Sequence, residues 1–565
     1  MGGRVLDVHS GEVAPGGVAI AGDRIALAGD VDRLIGDSTE VIDADGAHLT
    51  PGLIETHAHQ YHSNLTPTEY ARLCLRRGTT TVAEAFYGQG QVGGIEGVRS
   101  SLAELRATPL GVLFQAPILA YLQNVELGLD PTPARPSADD LIETLSWEGC
   151  VGLEEPPLIP FVERDEGILR LAAEALARGQ LIMGHGAGLS AEEVAAYASL
   201  GISADHECVT AEEALERIAA GIVVSMRECA ISHDQPAVQR AITELGADPR
   251  DFMLCTDVPD AVTMSRVGHL DHQIRLAVAA GIEPVDAVRM ATINAARWFR
   301  VADELGSLSP GRIADVLIVD SLEDFSVRNV VAKGRLVVED GRDLLPPVAP
   351  AEPVHSARLD RPVRAGDLRI VAPSSNGSVT ARAIAGAELL SEERLVALAC
   401  RDGAVMTEPG ADVLKVAMVD RYGRREAPAV GLIQGYGLRR GALGTSYNPY
   451  TNNPMAVGVD DAELAHALNA VAEMGGGFVA VAGGKVLGSV ELPHYGFLSA
   501  RGADETVAEL EDLYRLVGEL GCRIERPFHQ LAFCAVGGEL PRLKLSDRGL
   551  FDVEARSTVP VLVEG

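Results

Sequence analysis

The sequence predicts an α/β protein built around an eight-stranded parallel barrel, with a small β-domain split across it and a further α/β domain behind. Three observations carry this. Between residues 51 and 304, apolar strand-like runs alternate with helix-like segments eight times, the pattern of a parallel α/β architecture. On either side, residues 1–50 and 305–345 alternate apolar and polar positions between glycine turns, as short antiparallel strands do. A proline-rich linker at 346–364 then separates residues 365–565, and 565 residues exceed what one hydrophobic core sustains.

In the flanking β-domain, strands are expected within 17–28, 314–320 and 330–338. The barrel runs are 53–56, 79–85, 110–116, 150–154, 181–184, 202–205, 222–226 and 252–256. Ser190 with Glu193, and Thr210 with Glu213, each read as a capping box that opens the helix after a strand. Eight such repeats make a TIM-type (β/α)8 barrel, whose chemistry sits where its strands end. Beyond the linker, strands are expected at 413–419 and 477–481 and helices at 460–474 and 506–520.

Charge narrows the partners. With 48 basic against 80 acidic residues the chain carries −32, which repels phosphate backbones and anionic bilayers. The expected partner is a small-molecule substrate, with no nucleic acid and no membrane, and a homo-oligomer is expected. Eight scattered cysteines without a CxxC, no leader-like N-terminus and no run of eighteen apolar residues point to the cytoplasm.

Nine of the fourteen histidines fall between 48 and 272, a density that invites a metal. His57 and His59 alternate at a strand end, so both imidazoles can reach one ion. An HxH pair alone is as common in strands with two satisfied histidines. Position adds the weight, because Glu155, His185, His206 and Asp257 each stand at or just past the end of a different expected strand. Four imidazoles and two carboxylates suit two divalent transition-metal ions, Mn, Fe or Zn, sharing a carboxylate bridge. Such ions bring the pKa of a shared water toward neutrality, and Asp257 is placed to take its proton and pass it to a leaving nitrogen. Glu84, Tyr87, Glu207, Arg227, Glu228, His269, Tyr450 and Asn452 are candidates for binding substrate, with Asp271 beside them. His62, His233 and His272 read as outer or surface groups.

The stretch Pro51-Gly52-Leu53-Ile54-Glu55-Thr56-His57-Ala58-His59, followed by Gly78-Thr79-Thr80-Thr81-Val82, resembles the amidohydrolase superfamily. Gly184-His185-Gly186-Ala187-Gly188, Ala204-Asp205-His206-Glu207-Cys208 and Met253-Leu254-Cys255-Thr256-Asp257 narrow the resemblance to its adenine deaminase family, as do Gly435-Tyr436-Gly437-Leu438-Arg439-Arg440-Gly441 and Glu473-Met474-Gly475-Gly476-Gly477 in the last domain. The resemblance spans nearly the whole chain. It implies a split β-sandwich around a metal-bearing barrel, a metal-dependent hydrolytic deaminase, and metal positions at His57, His59, Glu155, His185, His206 and Asp257.

Three places depart from the family. Its Asp-Pro-His-Glu is here Ala85-Phe86-Tyr87-Gly88, its His-Asp-Ser-His-Asn is Pro449-Tyr450-Thr451-Asn452-Asn453, and its second Asp after Cys-Thr-Asp is Val258. All three remove ionisable groups, so a less charged, more aromatic pocket is expected. Plain adenine is then expected to be a poorer substrate than a larger or less polar amino-heterocycle, or a cyclic amide. A ring-amide hydrolase and a non-catalytic, metal-stabilised binding protein are the competing readings. A nucleic-acid deaminase is disfavoured, since the HxE and PCxxC signature of that zinc fold is absent.

Overall fold

The structure, a computed structural model, describes residues 1–123, 125–347, 352–373, 376–386, 391–449, 451–535 and 542–563. Eight parallel strands form the barrel in chain order: β1 (Leu53–Glu55), β2 (Thr79–Glu84), β3 (Gly111–Ala116), β4 (Cys150–Leu153), β5 (Leu181–Gly184), β6 (Ala204–Asp205), β7 (Val223–Arg227) and β8 (Phe252–Cys255). The ring closes just past the strand ends. Asp257 donates its N–H to the His57 carbonyl and His59 donates to the Asp257 carbonyl, each at 2.9 Å, around a parallel bridge between Ala58 and Asp257. The closure therefore runs through three of the expected metal positions.

Seven barrel strands lie within their expected runs and β7 extends one residue past its run, to Arg227; β6 is the shortest because only Ala204 and Asp205 pair on both sides. Ser190 forms the full reciprocal cap with Glu193. The cap at Thr210 is a correction: its hydroxyl accepts the Glu213 N–H, but the Glu213 carboxylate takes the N–H of Val209 instead of closing the box.

The strand His48–Pro51 pairs antiparallel with Val316–Val319 and parallel with Gly3–Leu6, so residues from both sides of the barrel share one eight-stranded sheet. A nine-stranded sheet beyond residue 376 is antiparallel except where Gly377–Ala385 runs beside Ala429–Gln434. The Ala/Leu-rich helix Asp461–Glu473 packs on it, capped by Asp460, whose carboxylate accepts two backbone N–H groups at 2.9 Å. The helix Ala503–Glu519 flanks its last strand.

This last domain meets the barrel on its strand-end side. Arg526 reaches Asp260 at 3.0 Å, His529 donates to the His62 carbonyl at 2.9 Å, and the Tyr447 hydroxyl contacts Nδ1 of His62. Among the described residues no helix is long and apolar enough to cross a membrane.

Candidate metal centre

β1 ends at Glu55 and the chain continues extended, so His57 and His59 turn to the same side, ring centroids 4.6 Å apart and nearly perpendicular. Glu55 anchors this turn from below. Its carboxylate accepts the N–H of His57 at 3.1 Å and that of Thr256 at 3.1 Å, and burial pushes it up to about 8. His185 and His206 follow β5 and β6 directly. Asp205 frames both, since its Oδ1 accepts the N–H of Gly186 and of Glu207 while fully buried Arg217 pairs with its Oδ2 at 3.2 Å. The Tyr197 hydroxyl takes the His185 N–H at 2.8 Å.

Glu155 sits among the four imidazoles. Its Oε1 is 2.9 Å from His59 Nε2, and its Oε2 is 3.3 Å from His57 Nε2, 3.0 Å from His185 Nδ1 and 3.2 Å from His206 Nε2. Asp257 Oδ1 lies 3.3 Å from His59 Nε2 and 3.7 Å from His57 Nε2. Donors bound to one ion at about 2.1 Å stand about 3.0–3.4 Å apart. The six side chains thus have the spacing of a ligand set, with one carboxylate facing both halves.

Two further observations test the fit. Among the described residues, Nε2 of His57 and both ring nitrogens of His206 are buried with no hydrogen-bond partner, a costly state that a cation relieves. The electrostatics agree. Burial and the neighbouring His206 push His57 down to about 4. Burial also opposes charge on His185 and His206, but Glu207 and Glu155 overcome it and raise them to about 9 and about 10. Against burial, the imidazoles of His59 and His57 hold Glu155 well below the usual carboxylate range, and His59, His206 and Arg227 do the same for Asp257. The cluster demands positive charge, and its N and O donors suit Mn, Fe or Zn.

The remaining expected residues divide. Glu207 joins the cluster, 3.2 Å from His206 and 3.4 Å from His185. Arg227 is buried behind it, bonding Glu207 at 2.7 Å, Asp257 at 3.0 Å and Asp234 at 2.8 Å, so its donors serve the protein. Glu84 is likewise committed, accepting the N–H of Gln60, Ala85 and Phe86, and burial raises it to about 7. Tyr87 stands edge-on to His59 at 4.6 Å; its hydroxyl accepts from Tyr61 at 2.9 Å and meets His62 Nε2 at 3.3 Å. His269 lies beneath, its Nδ1 against Thr79 at 2.8 Å and its Nε2 3.5 Å from Glu55, and burial lowers it to about 3.

Glu228 contacts exposed His233, and Asp271 accepts the His269 N–H at 2.6 Å. His272, half-buried, lines the same small cavity as Glu228. Asn452 is buried with its amide on Gln91 at 3.3 Å, and Tyr450 lies outside the described residues. Val258 belongs to an apolar cluster with Cys229 and Ile231, against which Phe533 of the last domain packs.

Three neighbours escaped the sequence reading. Glu154 faces His59, while Tyr61 and Tyr447 flank His62. Only Glu154 carried a signal, as the first of two adjacent acids at a strand end.

The profile of the Amidohydrolase family matches residues 48–337, and that of the Adenine deaminase C-terminal domain matches 388–557. An adenine deaminase from Moorella thermoacetica is 36% identical over 98% of this chain and 93% of its own length. One from Desulfatibacillum aliphaticivorans is 33% identical over 97% and 94%. Among solved structures, a β-aspartyl dipeptidase from Fervidobacterium islandicum AW-1 matches 61% of this chain and 99% of its own at 18% identity, with a TM-score of 0.47. The full-length identity and the two profiles together place this chain in the adenine deaminase family of the amidohydrolases, as a metal-dependent hydrolase of carbon–nitrogen bonds.

Proposed function

We propose that the protein deaminates adenine or a closely related amino-substituted heterocycle, with two divalent ions held by His57, His59, Glu155, His185, His206 and Asp257. The observation that carries this is the Glu155 carboxylate, whose two oxygens face four imidazoles at 2.9–3.3 Å with Asp257 alongside. When bound, such ions supply Lewis acidity and a nucleophile at neutral pH. Asp257 takes a proton and returns it to the departing nitrogen. Arg227 fixes the angle of that carboxylate by holding its Oδ2. Burial of the surrounding side chains keeps bulk water from the reacting atoms. The unpaired cysteines suit a reducing cytoplasm.

The decisive test is metal analysis together with assay. Purified enzyme is expected to carry about two transition-metal ions per chain, to release ammonia from adenine or an analogue, and to lose that activity to a chelator until Mn, Fe or Zn is restored. An active preparation, never chelated and free of metal, would sink the reading.

The apolar cluster of Val258, Cys229 and Ile231 beside Asp257 favours a substrate with an apolar substituent. We therefore expect N6-substituted purines or cyclic amides to surpass adenine in kcat/KM. A value for adenine of about 10⁴ M⁻¹s⁻¹ or more, with no competitor better, would show that the three departures do not alter choice.

A further inference from the structure

Glu154, adjacent to the central carboxylate, has no part in the ligand set above. Where β3 and β4 pair, Phe114 opposes Cys150 and Gln115 opposes Gly152, so β4 carries an extra residue there. Such a bulge re-aims the side chains that follow it. The strand itself ends at Leu153, and just past it Glu154 and Glu155 are both buried, 1% and 2% exposed, and meet one imidazole from its two nitrogens. His59 Nε2 is 2.9 Å from Glu155, and His59 Nδ1 is 3.3 Å from Glu154 Oε1.

Among the described residues no other side chain takes a hydrogen bond from His59 Nδ1. His59 Nδ1 and Glu154 Oε2 are buried without a hydrogen-bond partner among the described residues, and the nearby Glu84 is occupied by three backbone N–H groups. An imidazole that binds an ion through one nitrogen carries its proton on the other. A carboxylate there sets the tautomer and ring angle and makes the ligand more basic.

We propose that Glu154 is the positioning residue of His59: it accepts the Nδ1 proton, so that Nε2 is presented unprotonated between Glu155 and Asp257. This rests on His59 being a metal ligand, as proposed above. His206 differs, for its Nδ1 is buried with no hydrogen-bond partner among the described residues.

The test measures Mn²⁺ affinity of the full-length protein by competition with a chelating dye, after thermal unfolding has verified the fold of each variant. Glu154→Leu is expected to weaken binding about 10–100-fold. Glu154→Gln, isosteric and still able to accept from Nδ1, should recover part of that loss. In a His59→Ala background, Glu154→Leu should add less than about twofold, because the two substitutions remove the same interaction. Wild-type affinity in Glu154→Leu would overturn the proposal, and so would an undiminished effect without His59, which would make Glu154 a ligand in its own right. Failure of the wild-type protein to bind Mn²⁺ would instead overturn the metal reading on which the proposal stands.

Discussion

Replacing Asp257 with Asn lowers turnover at least about a hundredfold, the lower end for losing a positioned acid–base group, while the fold persists. The backbone at Asp257 has φ +53°, a left-handed conformation that Asn tolerates better than most residues. The amide keeps one oxygen and can still accept from Arg227, which now bonds Oδ2 at 3.0 Å. Its NH₂ then faces His59, where Oδ1 stands 3.3 Å from Nε2. No site remains on that side to accept a proton. Steady-state kcat should be measured with elemental analysis of the same sample, since Asp257 also borders the ligand cluster. Full metal content with near-normal kcat would move proton transfer to another group.

The second large effect is on stability. Arg227 is 2% exposed and bonds Glu207, Asp257 and Asp234 at once, which holds its guanidinium firmly protonated against the cost of burial. Arg227→Met keeps much of the volume but leaves those carboxylates buried without their cation. Removing one partner of a buried ion pair costs about 3–5 kcal/mol. For a domain of this size that lowers the unfolding temperature by on the order of 10 °C. The loss should be greatest in metal-stripped enzyme, because bound cations would partly compensate Glu207 and Asp257. Thermal unfolding of both forms, with and without the substitution, reads this directly. A stripped Arg227→Met protein that unfolds with wild type would show that the carboxylates discharge by protonation at little cost.

Sequence by itself determined the barrel and the six clustered donors, because both depend on short-range regularities. A strand-to-helix alternation repeats with a local period, and a barrel gathers whatever stands at its strand ends. His57 and His59 needed only alternation along an extended chain. Tertiary structure alone decided the rest. Glu154 and Glu155 would face opposite ways in a continued strand, but β4 ends at Leu153, and beyond it the chain turns both carboxylates toward His59. Arg227 and Glu84 have the side chains of substrate binders, yet their hydrogen bonds go to Asp234, Glu207 and Asp257 and to three backbone N–H groups respectively. His269 turns toward Glu55 and Thr79. Tyr447, Arg526 and His529 reach His62 and Asp260 from more than 200 residues away, and no local pattern encodes which distant surfaces pack together. The physical reason is the same in each case: spacing places a residue on an element, but long-range packing decides which atoms are left to meet a ligand.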